Sequence, residues 1–279
     1  MHLGVYMFPT DYSIQPVELA TALEERGFES LFVPEHTHIP VSRRTPWPGG
    51  GPLPKEYYHT HDPLVALSFA AAATKKLTVG TSIALLPQRD AIVTAKAIAS
   101  LDMLSGGRFV LGLGAGWNQD EMENHGVVYE DRFKQMEEKI QAMQAIWTQE
   151  QASFYGDHVN FGPLWSYPKP LQKPHPPILL GGETKYTMRR IVKYCDGWLP
   201  RARDNYDVLA GMSQLSQIAA EEGRDMSTVQ VNVFGARSDA GVLKSYRDAG
   251  ITRSILPLPS ETADKILPRL DKYAALLRG

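Results

Sequence analysis

The 279-residue chain contains a single cysteine, and this scarcity excludes an internal disulfide framework. Its apolar stretches are all interrupted well before the length of a membrane-spanning helix. Lys and Arg number 29 against 31 Asp and Glu, so no global basic field favours nucleic acid as a partner. The first residues, MHLGVYMF, lack the charged start and cleavage pattern of a signal peptide. We therefore predict a soluble cytoplasmic protein with no membrane or nucleic-acid partner.

The chain does contain a repeated alternation of short apolar runs with helical patterns. After the first run, Pro16, Leu19 and Leu23 recur at helical spacing, and Gly27 suits the end of that helix. The apolar runs that are typical of strands are Leu3–Phe8, Leu31–Pro34, Leu77–Leu86, Phe109–Gly114, Pro177–Leu180, Trp198–Pro200, Val229–Phe234 and Ser254–Leu258. Eight strand–helix units in roughly 250 residues predict an α/β fold, a single (β/α)8 TIM barrel over residues 1–279. A doubly wound open sheet is the competing architecture.

Two segments exceed ordinary loop length. Residues 37–61 follow a strand, so in a barrel they lie over the mouth at the carboxyl ends of the strands, where active sites form. This segment contains RRTPWPGGGPLPKEYYH, and we interpret it as a lid, with disorder as the alternative. Residues 148–176 follow a helix and should cross the opposite face. The stretch FYGDHVNFG within them predicts a small hairpin with a structural role.

Glu35 and His36 come directly after the second predicted strand, with no turn residue between. An imidazole titrates near neutral pH and can accept or deliver a proton, so a pair at the mouth of a barrel is a candidate catalytic site. Two solvated loop residues are the alternative. His36 and His38 would share a strand face, but no H-E-x-x-H motif or carboxylate cluster accompanies them. We therefore predict no metal site.

Glycines mark the carboxyl ends of two further strands. Gly112, Gly114 and Gly116 alternate, which leaves one strand face without side chains and admits a flat ring or a close backbone approach. Tight barrel packing is the alternative, and the spacing is not that of a dinucleotide fingerprint. Gly181 and Gly182 lead into a helix start, where backbone N–H groups suit a phosphate. An ordinary turn is the alternative there.

Two hydroxyl side chains, Thr81 and Ser82, interrupt the apolar run of the third strand. They would bond either a heteroaromatic ring or local backbone groups. A serine hydrolase lacks support because the chain has no G-x-S-x-G elbow. Cys195 falls on the buried face of a predicted helix, so we expect an inert structural thiol.

Several stretches taken together resemble one family. They are FVPEH, then LTVGTSIALLPQRDAIVTAKAIASLDMLSGGRFVLGLGAGWNQDEM, and finally PPILLGG with CDGWLP. Over nearly its whole length the chain resembles the luciferase-like monooxygenase superfamily of flavin and deazaflavin barrels. Within that superfamily it most resembles the branch that depends on coenzyme F420.

The resemblance implies a role for individual residues. His36 corresponds to a histidine beside the deazaflavin ring that handles a proton during hydride transfer, and Glu35 to an acidic residue near the polar edge of the ring. Ser82 and Ile83 correspond to a non-prolyl cis peptide that backs the ring. The turn whose amides hold the cofactor phosphate corresponds to Gly181, Gly182 and Glu183. We also assign to the cofactor site Thr81, Gly114, Gly116 and Thr184.

The chain departs from the family pattern at Trp117. The F420-dependent sugar-phosphate dehydrogenases of the superfamily carry an acidic residue directly after the G-x-G of the fourth strand. A tryptophan cannot donate that proton, so their substrate and acid–base scheme are not carried over. We assign Trp117 and His38 to a more apolar substrate pocket. Three cationic side chains lie in the predicted lid, namely Arg43, Arg44 and Lys55. They would bind the anionic tail of F420 or would be solvated.

We therefore predict an enzyme that transfers a hydride between F420 and a small organic substrate, with His36 as the proton-transfer residue and Glu35 supporting the ring or tuning the imidazole. By likeness to the superfamily we expect a homodimer. The same-class alternative is an FMN-dependent luciferase-like monooxygenase. The further alternatives are a cofactor-free or metal-dependent barrel isomerase or lyase, and a flavin-binding protein without turnover.

Overall fold

Eight parallel strands close into a ring in the computed structural model, which describes residues 1–278. The strands are β1 (His2–Tyr6), β2 (Ser30–Val33), β3 (Thr78–Thr81) continued by β4 (Ala84–Leu85), β5 (Phe109–Gly114), the hairpin strands β6 (Ala152–Tyr155) and β7 (Asn160–Leu164), β8 (Ile178–Gly181), β9 (Gly197–Leu199), β10 (Gln230–Phe234) and β11 (Arg253–Pro257). The ring runs β3-β2-β1-β11-β10-β9-β8-β5, and β5 pairs again with β3. This closure confirms the TIM barrel and excludes the open sheet.

Helices follow the barrel strands, and additional short helices lie in the loops. They are α1 (Pro16–Glu25), α2 (Glu56–His59), α3 (Pro63–Ala73), α4 (Ala91–Ser105), α5 (Gln119–Asn124), α6 (Arg132–Thr148), α7 (Lys185–Tyr194), α8 (Val208–Glu221), α9 (Ala240–Asp248) and α10 (Ala263–Ala274). Asp62, Asp90 and Asp239 each cap a helix by accepting from the N–H three residues later. Within residues 1–278, no helix has both the length and the apolar character needed to cross a membrane.

The third barrel strand differs from its prediction, because Leu77–Leu86 is not one continuous strand. β3 ends at Thr81, β4 begins at Ala84, and the peptide bond between Ser82 and Ile83 is cis, as the family resemblance implied. The pairing offset changes by one residue across the break, from Gly80 with Val110 to Ala84 with Leu113. The break is therefore a bulge at the carboxyl end of the strand, where it re-aims the side chains of 82 and 83.

A buried ion pair fills the amino-terminal end of the barrel. Arg253, at the start of β11, donates to the two carboxylate oxygens of Glu29 at 2.6 and 2.5 Å and to Asn232 Oδ1 at 2.5 Å. Burial of Glu29 opposes its charge, but the bonds from Arg253 outweigh this and lower the pKa of the carboxyl group. Arg253 is thus paired with both Glu29 and Asn232, whereas Nδ2 of Asn232 is buried without a partner among the described residues. The cluster lies at the end opposite to the barrel mouth.

The insertion at residues 148–176 contains the hairpin that the sequence predicts, since β6 and β7 pair antiparallel. Glu138 of α6 accepts hydrogen bonds from the backbone N–H groups of three successive turn residues, 157–159. One carboxylate therefore fixes the hairpin to the outside of the barrel.

Elsewhere in the core, Cys195 is 2% exposed and burial raises the pKa of its thiol, which fits the predicted structural role.

Candidate active site

A cavity of about 380 Å³ opens at the carboxyl ends of the barrel strands, a volume typical of small-molecule sites. Its walls come from the ends of seven barrel strands, from the lid and from α6 and α7. The predicted site residues that line it are Glu35, His36, Ser82, Ile83, Gly114, Gly116, Trp117, Gly181 and Gly182. The barrel thus brings most of the predicted set to one place.

Two of the assigned residues, Thr81 and His38, do not line the cavity, and the structure gives the reason for each. Thr81 is fully buried in the barrel wall, where its hydroxyl donates to the carbonyl of Gly112 at 2.6 Å. It therefore bonds the backbone of the neighbouring strand β5, and neither a ring nor local backbone. His38 does not belong to the substrate pocket. Because β2 already ends at Val33, His38 lies in the lid and its ring bonds Asn124 at 2.9 Å, outside the cavity.

Two of the glycines at the end of the fourth barrel strand serve close packing, one of the possibilities that their spacing left open. A Cβ on Gly112 would lie 2.0 Å from the carbonyl oxygen of Thr81, so tight packing explains this position. A Cβ on Gly114 would lie 2.4 Å from Cδ1 of Ile83, so the Ile83 side chain occupies the space that this glycine leaves. Gly116 lies beyond the strand in a left-handed conformation. The floor of the cavity is therefore formed by Ile83, with Ser82 beside it.

His36 has a buried partner that the sequence analysis missed. Its Nδ1 lies 2.8 Å from Oε2 of Glu121, and the two residues are 8% and 0% exposed. Glu121 belongs to α5, which is an additional helix between β5 and α6. The available signal was its position in WNQDE, just after the end of a barrel strand. A pattern of repeating units does not reveal which way such an extra helix turns its side chains.

Glu35 faces away from the imidazole of its neighbour. Its carboxylate accepts from the N–H of Leu85 at 2.6 Å and from Nε of Arg89 at 2.7 Å. Arg89 also donates to Asp62 at 2.8 Å. Burial disfavours the charge of Arg89, but these two carboxylates outweigh it and raise the pKa of the guanidinium. Glu35 thus ties the end of β2 to β4 and, through Arg89, to the start of α3, and it makes no hydrogen bond to His36.

The turn after β8 has the features of an anion site. The N–H groups of residues 182–184 make no hydrogen bond to any described residue, and Gly182 has a φ of 121°. Thr184 caps α7, and Nε1 of Trp198 donates to the Gly182 carbonyl at 2.7 Å. Neither Thr184 nor Glu183 lines the cavity, but Arg201 does, and it binds Glu183 at 2.9 and 2.6 Å. The turn offers free amides and a neighbouring cation to an anionic group.

The lid covers the mouth through defined contacts. Tyr57 lines the cavity, with its ring centroid 4.7 Å from that of Phe8 and 5.1 Å from that of His36. The Trp117 ring lies 5.9 Å from that of His36, edge to face, and 6.4 Å from that of Tyr57, so the three rings form one cluster. Within the lid, the Arg43 guanidinium lies 5.9 Å from the Trp117 ring. The rings of Tyr57 and Trp117 therefore both pack against the imidazole of His36 at the mouth of the barrel.

The other lid cations are held by protein groups. Arg44 pairs with Glu123 at 2.5 Å on the exposed side of α5, and Nζ of Lys55 lies 4.3 Å from the ring of Tyr12. No group of three or more His, Cys, Asp or Glu within residues 1–278 is arranged to hold a metal ion.

The chain is similar to known proteins over most of its length. Residues 14–248 match the family model of the luciferase-like monooxygenases. An uncharacterized protein of Mycobacterium tuberculosis (strain H37Rv) is 38% identical over 281 residues, which cover 99% of each chain. The FMNH2-dependent dimethylsulfone monooxygenase of Pseudomonas putida is 30% identical over 177 residues, 62% of this chain and 48% of that protein.

A solved structure shows the same fold over the whole chain. The F420-dependent secondary alcohol dehydrogenase in complex with an F420-acetone adduct is similar with a TM-score of 0.76 at 17% identity, and the match covers 99% of this chain and 97% of that one. Similar proteins thus include users of F420 and of FMN. From the family model and the extent of the match, this chain belongs to the luciferase-like monooxygenase family.

Proposed function

We propose that this protein is an oxidoreductase that binds F420 in the barrel-mouth cavity and transfers a hydride between its deazaflavin ring and a small organic substrate. The observation that carries the proposal is that one cavity joins His36, the floor at Ser82 and Ile83, and the amide turn at Gly182. These are a proton-carrying group, a surface for a flat ring and a site for a phosphate.

The residues of the cavity fit the cofactor. Oγ of Ser82 is buried without a hydrogen-bond partner among the described residues, and it borders the cavity, so a polar ring edge would satisfy it. The free amides of residues 182–184 and the N-terminus of α7 would hold the phosphate, with Arg201 beside them. When bound, F420 supplies the hydride chemistry, and the protein supplies orientation and a dry enclosure.

The protein's own part in the reaction centres on His36. Glu121 engages Nδ1, and Nε2 makes no hydrogen bond to any described residue, so Nε2 is the atom that can hold or take a proton at the cavity. Tyr57 and Trp117 both pack against this imidazole, which is 8% exposed, and they limit its contact with water. Because Trp117 occupies the place of a carboxylate in the sugar-phosphate enzymes, the substrate end of the cavity suits an uncharged organic group.

A His36→Ala variant tests the role of the imidazole. We expect turnover in hydride transfer to fall by about 10²- to 10⁴-fold, the usual size of general acid–base catalysis, while the affinity for F420 changes little. His158→Ala is the matched control, because His158 is exposed on the hairpin turn far from the cavity. Unchanged turnover in His36→Ala would remove this residue from the mechanism.

A Gly182→Asp variant tests the anion turn. The new carboxylate should repel a phosphate at the free amides, and the backbone there, with a φ of 121°, disfavours any side chain. We expect weaker F420 binding in a fluorescence titration. Equal affinity in this variant would place the phosphate elsewhere.

The second candidate is an FMN-dependent monooxygenase, which the 30% identity to the dimethylsulfone enzyme favours. Parallel titration of the purified protein with F420 and FMN, followed by fluorescence, separates the two. The proposal expects saturable binding of F420 at lower concentration than FMN and no oxygen consumption in turnover. Binding of FMN alone, with oxygen consumed, would replace the proposal by this second candidate.

A further inference from the structure

We infer that Glu121 is a positioning residue that sets the tautomer of His36, and that helix α5 links this hold to the docking of the lid. The catalytic consequence rests on the proposed function. The structural statement does not, because it concerns only residues of this chain.

The first step is the bond between Glu121 and His36. An ionised carboxylate can only accept a hydrogen bond, so with Glu121 ionised the contact of 2.8 Å between Oε2 and Nδ1 places the proton on Nδ1. The neutral ring then carries its lone pair on Nε2, the atom left to the cavity. Both side chains are almost completely buried, where such a bond is strong and directional. No competing carboxylate is at hand, since Glu35 is engaged by Arg89.

The second step is the residue next to Glu121. Asp120 accepts hydrogen bonds from three groups of the lid, namely the hydroxyl of Ser42 at 3.0 Å, the N–H of Arg44 at 2.9 Å and the hydroxyl of Thr45 at 2.8 Å. Although burial of Asp120 opposes its charge, these bonds prevail and lower the pKa of the carboxyl group. Successive side chains of a helix diverge by about 100°, so one turn directs Asp120 to the lid and Glu121 to His36.

The third step is the way in which α5 itself is held. The helix has only six residues, and its N-cap residue, Asn118, makes no capping bond. Its remaining anchors are Met122, fully buried next to Gly116, the link from Asn124 to His38 in the lid at 2.9 Å, and the exposed pair of Glu123 with Arg44 of the lid. Because so short a helix has little stability of its own, its position depends on these neighbours. A lid that detaches would therefore loosen the support of His36.

Imidazole ¹⁵N chemical shifts in the cofactor-free protein test both statements without any turnover. We expect His36 to be the Nδ1–H tautomer in the wild type, and Glu121→Gln to populate the Nε2–H form, because an amide can also donate to Nδ1. Asp120→Asn should shift the same signals part of the way, although it touches neither His36 nor the cavity. Glu130→Gln is the matched control, since Glu130 is an exposed carboxylate shortly after α5 that bonds neither the lid nor His36.

Turnover gives the second measurement. We expect Glu121→Gln to lower kcat by about 10- to 100-fold with F420 affinity changed less than threefold, and Asp120→Asn to lower kcat by a smaller factor. If Glu121→Gln does not fold by circular dichroism, Glu121→Asp retains the charge but shortens the reach, and it should also mix the tautomers.

The outcomes separate the statements. An unchanged Nδ1–H tautomer in Glu121→Gln or Glu121→Asp would overturn the positioning role. A shift in the Glu121 variants with none in Asp120→Asn, or an equal shift in Glu130→Gln, would overturn the link to the lid. Absence of hydride transfer in the wild type would refute the proposed function and leave the tautomer results standing.

Discussion

Two glycines of β5, only two residues apart, should respond to alanine in different ways. A Cβ on Gly112 meets the backbone oxygen of Thr81 at 2.0 Å, and that atom cannot move without disturbing the barrel wall. We expect Gly112→Ala to lower the free energy of unfolding by about 3 kcal/mol or more. A Cβ on Gly114 meets only Cδ1 of Ile83 at 2.4 Å, the end of a flexible side chain, so a rotamer change at about 1 kcal/mol relieves it.

The Gly114→Ala variant should nevertheless weaken F420 binding. Ile83 lines the cavity, and the displaced side chain would enter the space proposed for the ring. Ile83→Val removes Cδ1 itself, so the double variant Gly114→Ala/Ile83→Val should recover most of the lost affinity. The coupling free energy between the two changes should be about 1 kcal/mol, well above the error for independent sites.

Urea denaturation followed by circular dichroism measures the stability of all four variants, and a fluorescence titration measures their affinity for F420. Equal destabilisation by Gly112→Ala and Gly114→Ala would contradict the distinction between a backbone and a side-chain contact. Strict additivity of Gly114→Ala and Ile83→Val would show that Ile83 does not fill the space above Gly114.

Three further predictions concern pH and assembly. Burial lowers the pKa of Lys139 from 10.5 to about 8, so the unfolded chain binds more protons between these values and stability should rise with pH there by at most about 3 kcal/mol. Urea titrations at both ends of this window should show a smaller rise in Lys139→Met. Burial and the nearby His38 lower the pKa of His125 below 6.5, so stability should fall as the pH drops below 6.5, and less so in His125→Gln. We also propose that the expected homodimer uses the outer face of α4, where Val93 and Leu104 are 68% and 86% exposed. Leu104→Glu should then give a monomer in light scattering, and a monomeric wild type would contradict this proposal.

The sequence predicts the parts of the molecule that repeat. Phe109–Gly114 has the predicted bounds, because a strand buried on both faces is a continuous apolar run between breakers. The interruption at Ser82 and Ile83 could be predicted only from the family resemblance, because a continuous strand and a bulged strand have the same apolar sequence pattern. Tertiary pairing decides between them.

The candidate site was predictable where it lies on barrel strands and was missed where it does not. His36 follows β2 directly, so the barrel alone carries it to the mouth. His38 is only two residues further, but it has left the strand, and its partner Asn124 is distant in sequence. Glu121 has the same difficulty, because the orientation of α5 depends on contacts with the lid. Long-range hydrogen bonds of this kind leave no periodic signal.

The closed amino-terminal end of the barrel, where Arg253 pairs with Glu29 and Asn232, has a consequence for the order in which ligands bind. The ion pair lies below an apolar cluster that fills the barrel interior and includes Phe32, Leu179 and Ile255, so bound molecules can enter and leave only through the mouth. A flat molecule resting on Ile83 would block nothing above it, whereas a second molecule on top would trap the first. Two reactants would therefore bind in a fixed order, in which the deeper one binds first and is released last.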